Sequence, residues 1–275
     1  MNFKYFSHNG VMKPVAEAVV PLPSIEYSYG FGVYETVRVH SSVPYYLRDH
    51  VDRLMESARI LGLEHSFASD SVVLNVQKLV AKTDSPAFNL KLLLIGGRTS
   101  TDANLYIICL NPLFPDKKMY RDGVKTITVQ HERNFPHAKT LNMLGSYLAY
   151  EKARSMDAYD ALLVNKKDEI VEGTRTNFFV MKDRTIVSPP EEEILLGVTR
   201  KMVLMVARAH NFEVAMRPIK RAELGEYDAA FLTSTSSNIM PIRSVDAHTF
   251  SITSAPLRAL MVAFDRFLDA SKGVV

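Results

Sequence analysis

A lysine, a glutamate, a glycine-led helix start and a run of hydroxyls, met in that order along the chain, have the types and spacing to do chemistry together. Lys139 lies in "FPHAKTLNMLGSYLAY" (135–150), where a proline-ended loop meets a predicted helix. At such a junction a lysine is ordinarily solvated charge. Held at the edge of a buried site, its amine can instead condense with an aldehyde. Glu172 lies in "EIVEGTRTNFF", just before a glycine turn between predicted strands. It reads as a hairpin-end carboxylate, or as a counter-charge that keeps a cationic ring nitrogen protonated. In "EEEILLGVTRKMVL", Gly197 permits close backbone approach, and Val198 and Thr199 open a predicted helix. The free N–H groups and dipole of such a helix start suit a phosphate. In "FLTSTSSNIMPI", Thr233 to Ser237 set hydroxyl donors at a strand end. Each feature has an ordinary structural reading. Together they describe one small molecule with an aldehyde, a pyridine nitrogen and a phosphate: pyridoxal 5′-phosphate.

The elements that must position these residues are legible from periodicity. "NFKYFSHNGVMKP" predicts two short strands around Asn9-Gly10, and "YETVRVHSSVPYYL" repeats the pattern around Ser41-Ser42. From Asp49, the residues Val51, Leu54, Met55, Ala58 and Leu61 share one helical face, and Gly62 ends it. A second amphipathic helix, "SVVLNVQKLVAKT", precedes two apolar strands, "FNLKLLLI" and "ANLYIICL". Further on, "VKTITVQ" predicts a strand, 141 to about 156 a helix, and "DALLVN" with "EIVEG" a hairpin running into another strand pair. A helix, a strand, the hydroxyl-ended strand "YDAAFLTSTSS" and the closing helix "APLRALMVAFDRFLDA" complete the chain. Hairpins dominate, so the sheets are expected to be largely antiparallel. The proline- and charge-rich "NPLFPDKKMYRDG" predicts a linker at 116–123 between domains at 1–115 and 124–275.

Composition narrows the function class. The 275 residues are 47% hydrophobic and 23% charged, with a net charge of +3 and no basic block, so neither nucleic acid nor membrane is an expected partner. The single cysteine, Cys109, sits in an apolar run and reads as a buried hydrophobe. Eight histidines lack ligand spacing, so no metal site is expected. The start of the chain lacks the charged-then-apolar pattern of a secretory signal, and cytoplasmic localisation is the expectation. Nucleotide-binding, zinc-protease and serine-hydrolase signatures are all missing.

From about Tyr27 to Asp246 the chain resembles the class IV, or fold-type IV, pyridoxal-phosphate enzymes. The family includes branched-chain and D-amino acid aminotransferases and aminodeoxychorismate lyases. The pieces that carry the resemblance, in family order, are "YGFGVYETVRV", "LRDHVDRL", "KTLNMLGSYLAYEKA", "DALLV…EIVEGTRTNFFVMKD", "VSPP", "LLGVTRKMVL" and "DAAFLTSTSSNIMPIRSVD". It implies an α+β fold with a small N-terminal α/β sandwich domain and a larger, strand-rich C-terminal pseudo-barrel. It also implies a homodimer acting on small amino and keto acids. By the same resemblance, Lys139 would form the imine link to the cofactor and shuttle a proton between substrate Cα and cofactor C4′. Glu172 would face the pyridine nitrogen, and Arg53 would bind the phosphate bidentately. Val198, Thr199, Thr235 and Ser236 would add phosphate donors. Tyr29, Tyr34 and Arg98 would line the substrate pocket.

Tyr34-Glu35 and the "TSTSSNIMPIRSVD" ending resemble the transaminases more than the lyases, which makes a transaminase with a branched-chain-like donor the leading expectation. Aminodeoxychorismate lyase is the alternative within the family; a cofactor-binding protein without turnover is the alternative outside it. D-amino acid aminotransferases carry an arginine where this chain has Gly96. Arg98, two residues later, substitutes for it only if the strand end bulges.

Overall fold

The computed structural model describes residues 3–270 apart from 22 and 113. The chain divides into two compact units, residues 1–113 with 137–142, and 114–136 with 143–271.

The first unit contains strands β1 (Tyr5–His8), β2 (Val11–Pro14), β3 (Gly32–His40), β4 (Val43–Pro44), β5 (Ala87–Ile95) and β6 (Asn104–Leu110). Its helices are α1 (Ile25–Ser28), α2 (Leu47–Ile60) and α3 (Ser69–Lys82). The strands form one antiparallel sheet in the order β2-β1-β6-β5-β3-β4. Both expected hairpins form. Asn9 and Gly10 at one turn, and Ser41 and Ser42 at the other, have positive φ, as a two-residue turn between twisted strands requires. The period of two along β3 sends Val33, Glu35, Val37 and Val39 to the buried side. The core there joins the valines to Leu90, Leu92 and Leu94 of β5 and to Val51, Leu54 and Ala58 of α2. Glu35 is thereby carried into an apolar layer.

The second unit contains α4 (Lys117–Asp122), β7 (Val124–Gln130), α5 (Leu144–Ser155), β8 (Asp160–Val164), β9 (Ile170–Gly173), β10 (Asn177–Lys182) and β11 (Thr185–Ser188). There follow α6 (Val198–Ala209), β12 (Glu213–Met216), β13 (Ala229–Ser234), β14 (Asn238–Val245), β15 (His248–Thr249) and α7 (Ala255–Ala270). The run β10-β13-β14-β7-β8-β9 closes on itself through the pair Glu172–Asn177, which makes a six-stranded barrel; β11, β12 and β15 extend it. Apolar side chains such as Phe178, Leu232, Met240 and Leu162 fill its core.

The sheets are largely antiparallel, as expected, and the details differ in four places. The second sheet is mixed, with parallel pairs β7–β8, β7–β14 and β11–β12. The reason is local: α5 separates β7 from β8 and α6 separates β11 from β12, and a helical crossover returns the chain parallel. Residues 137–142, expected in the second domain, group with the first unit because they pair with the start of β3. The helix expected from 141 begins at Leu144, and α4 lies within the expected linker. Among the described residues, no helix is long and apolar enough to cross a membrane, and no cluster of metal-ligating side chains occurs. Cys109 is buried, and burial pushes its thiol pKa up.

Candidate functional site

Lys139 sits in the first unit, on an extended segment pinned along its backbone. Its N–H donates to Ser57 Oγ of α2 (3.0 Å), and its carbonyl accepts from Tyr34 N (2.9 Å). Val33 bridges Thr140, and Leu141 N donates to Gly32 O. Gly32 is glycine for a reason, since a Cβ there would lie 2.8 Å from Leu94 O and 2.9 Å from Leu141 Cδ1. Ala138 and Thr140 are buried on either side, and the Lys139 side chain is half-buried between them. Its Nζ lies 4.6 Å from the centroid of the Tyr34 ring. Among the described residues it has no carboxylate partner.

Beside this segment, Glu35 is fully buried between two side-chain donors, and the Thr36 amide also donates to its Oε2 at 3.2 Å. Arg53 Nε and Nη2 reach its two oxygens at 2.6 and 2.9 Å, and His50 Nδ1 donates to Oε2 at 2.7 Å. Burial by itself would raise the Glu35 pKa. The Arg53 and His50 interactions outweigh it and hold the carboxyl below the usual range. Burial also pushes His50 down, so a neutral ring with its proton on Nδ1 fits the bond to an ionised carboxylate. The Nε–Nη2 edge of Arg53 is thus engaged by Glu35.

The other residues expected in the substrate pocket are less enclosed. Tyr34 meets Lys139, as described. Tyr29 caps the end of α1 and is exposed. Arg98 is exposed in a turn beyond β5. The register of β5 with both neighbours runs without a shift to Ile95, so the strand end does not bulge.

In the second unit, Glu172 is 4% exposed, so it is no open hairpin-end carboxylate. Arg133 donates to its Oε1 through Nε (2.8 Å) and Nη2, and the Leu195 amide donates to Oε2 (3.2 Å). Leu195 lies just before Gly197, the residue that caps α6. No side chain caps that helix, in contrast to α4, whose first turn is capped by Asp116. Val198 and Thr199 are its first two residues, the former buried and the latter half-buried. Their N–H groups belong to the first turn, which has no intrahelical acceptors. Thr235 and Ser236 are half-buried in the β13–β14 turn, which Ser234 and Ser237 close through a 2.7 Å hydroxyl pair. Thr233 Oγ1, at the end of β13, is buried and has no hydrogen-bond partner among the described residues.

The structure therefore gathers Lys139, Tyr34 and Arg53 in the first unit, and Glu172, Val198, Thr199, Thr235 and Ser236 in the second. Sequence reasoning missed three contributors. Glu35 was visible as the one acidic residue on the apolar phase of β3. Arg133 and Asn177 left no local signal, because their partners lie far along the chain or across the barrel seam.

Residues 32–245 match the profile of the amino-transferase class IV family. The chain is 28% identical over 251 residues to D-alanine aminotransferase of Bacillus licheniformis, covering 88% of each. It is 28% identical over 237 residues to a putative branched-chain-amino-acid aminotransferase of Methanocaldococcus jannaschii, covering 81% of each. Its fold matches that of branched-chain amino acid aminotransferase from Thermobaculum terrenum in its PLP form, with a TM-score of 0.86 at 24% identity over 98% of this chain and 95% of that one. The closed barrel with its carboxylate and uncapped helix, the pinned lysine and this match over most of its length have one conclusion: the chain belongs to the amino-transferase class IV family.

Proposed function

We propose that the chain is a pyridoxal-phosphate-dependent transaminase that moves an amino group between a branched-chain-like amino acid and a 2-oxo acid. The observation that carries this reading is the Leu195 amide bonded to Glu172. It ties a buried carboxylate to the turn that starts an uncapped helix, so one segment of chain serves two chemically different ends of a ligand. The donor set fits the cofactor: a carboxylate for a ring nitrogen, helix N–H groups and hydroxyls for a phosphate, and a lysine without a counter-ion for an aldehyde. When bound, the cofactor supplies that aldehyde and an electron-accepting ring.

In this reading Lys139 Nζ would hold the cofactor through its aldehyde carbon and, once released, would move a proton from substrate Cα to that carbon, C4′, across the intervening nitrogen. The Tyr34 ring lies 4.6 Å from that amine and walls one side of it. Glu172 keeps the ring nitrogen protonated, and Arg133 holds the carboxylate in place. Arg53, Val198, Thr199, Thr235 and Ser236 bind the phosphate, and Tyr29 and Tyr34 border the substrate. A homodimer in the cytoplasm belongs to the same proposal, and the exposed apolar side chains Leu144, Tyr147 and Leu148 on α5 offer a face for a second copy.

D-Alanine is the second donor to consider, because a relative of equal identity bears that name. The exposed position of Arg98 weighs against it. The test is a panel of L- and D-amino donors plus aminodeoxychorismate, read as the absorbance change of the bound cofactor. Bleaching by L-branched-chain donors that a 2-oxo acid reverses supports the proposal. Response only to D-donors, release of pyruvate from aminodeoxychorismate, or a band unmoved by every donor each replaces it.

A further inference from the structure

Asn177 begins β10 at the seam where the barrel closes, paired with Glu172 on one side and Thr233 on the other. It is 6% exposed, yet its side chain serves neither strand. Its Nδ2 donates to Leu195 O at 2.7 Å, while Leu195 N donates to Glu172 at 3.2 Å. The Leu195 residue is buried, and these two bonds hold its backbone at both its N–H and its carbonyl. Asn177 Oδ1 meanwhile presses on Gly197, where a Cβ would lie only 2.1 Å away. The Gly197 backbone has φ −64°, which any residue adopts, so the contact with Asn177 is what asks for glycine there.

From this arrangement we infer that Asn177 is a positioning residue that sets the 195–197 turn, and with it the distance between the Glu172 carboxylate and the first-turn N–H groups of α6. The inference rests on the proposed reading, in which Glu172 serves a ring nitrogen and α6 serves the phosphate of the same ligand. Two anchoring points on one rigid molecule demand a fixed separation. A buried amide that grips the connecting turn supplies it. Glu172 by itself holds only one end of the turn, and without Asn177 the helix start shifts relative to the carboxylate. The loss then falls on the phosphate contacts rather than on the ring contacts.

The test compares pyridoxamine 5′-phosphate with pyridoxamine, which lacks the phosphate, by calorimetric titration, so turnover is not the readout. Variants are Asn177→Ala, Gly197→Ala and the double substitution, with thermal melts as folding controls. In Asn177→Ala, affinity for the phosphorylated ligand should fall about tenfold, while affinity for pyridoxamine moves less than about twofold. Gly197→Ala should do the same by pushing the Asn177 side chain aside. The double variant should be no worse than the worse single, because the clash needs Oδ1. Unchanged ligand ratios in both singles, or losses that multiply in the double, overturn the inference and leave the proposed function standing. A wild-type protein that does not prefer the phosphorylated ligand overturns both. If Asn177→Ala fails to fold, Gly197→Ala alone decides: a wild-type ratio there refutes the positioning role.

Discussion

Lys139 and Glu172 are the two most consequential charged groups of the candidate site, and they are treated in opposite ways. Glu172 has each carboxylate oxygen accepting from a donor, Arg133 on one and the Leu195 amide on the other. Lys139 has its backbone pinned on both sides but its amine directed at an aromatic ring, with no carboxylate partner among the described residues. A group that must only hold a charge gains from saturation, because each charge-assisted bond fixes its place and its ionisation. A group that must exchange a proton or form a bond loses reactivity if it is neutralised by a counter-ion. In the first unit, backbone pairing does the placing and leaves the amine available; in the second, side-chain pairing does it.

Removing the unsaturated member should have the largest effect. Lys139→Ala is expected to lower turnover by at least about a thousandfold and to abolish covalent attachment of the cofactor, read by steady-state kinetics and by mass after reduction with borohydride. An alanine variant that keeps wild-type turnover would falsify the assignment.

Changing the saturated member should act on two quantities at once. Glu172→Gln should slow Cα proton removal by about a hundredfold, seen in single-turnover absorbance. It also leaves Arg133 without its ion-pair partner, which costs about 3 kcal/mol of stability in a denaturant titration. Adding Arg133→Met should recover the stability but not the rate. Recovery of both would mean that the carboxylate serves only Arg133.

Arg53 tests whether an ion-paired guanidinium can also serve a ligand. Arg53→Lys keeps a charge for Glu35 but loses the fork. It should weaken pyridoxal phosphate by about 2 kcal/mol, close to thirtyfold, with little change in the chemistry of the bound state. Unchanged cofactor affinity in equilibrium dialysis would place the phosphate elsewhere.

Two other buried carboxylates differ in the same sense, and the smallest effect of all should come from one of them. Glu35 is ion-paired, and its folded pKa lies below the ordinary value; burial likewise depresses that of His50. Both contributions to stability are present above the unfolded pKa values and are lost as pH falls, from about pH 6.5 for His50 and about pH 4.3 for Glu35. Asp160 accepts instead from the hydroxyls of Thr174 and Thr176, and burial raises its pKa despite them. Its contribution is present at low pH and is lost as pH rises through its folded pKa. At pH 7, Asp160→Asn should therefore change stability by less than about 1 kcal/mol, whereas Glu35→Gln should cost about 3 kcal/mol by orphaning Arg53. Melting curves across pH 4 to 8 check both, and equal costs would show that counter-ions do not distinguish the two sites.

By itself the sequence determined the local pieces. Asn9-Gly10 makes its turn because both residues tolerate positive φ, and Ser41-Ser42 takes the same conformation. The helices α2 and α6 follow from apolar residues at helical spacing, and β3 follows from its alternating valines. The resemblance marked Lys139, Glu172, Arg53 and the α6 start from their motifs. Tertiary structure alone decided which partner each of these has. Arg133 meets Glu172 from 39 positions away, Lys139 meets Ser57 from 82, and Asn177 meets the Leu195 carbonyl from 18. It also moved 137–142 into the first unit, since an extended segment joins whichever strand offers its unpaired N–H and C=O groups a partner. Periodicity reports which face of an element is apolar. Which distant charge or strand edge that face will meet depends on the packing of the whole chain.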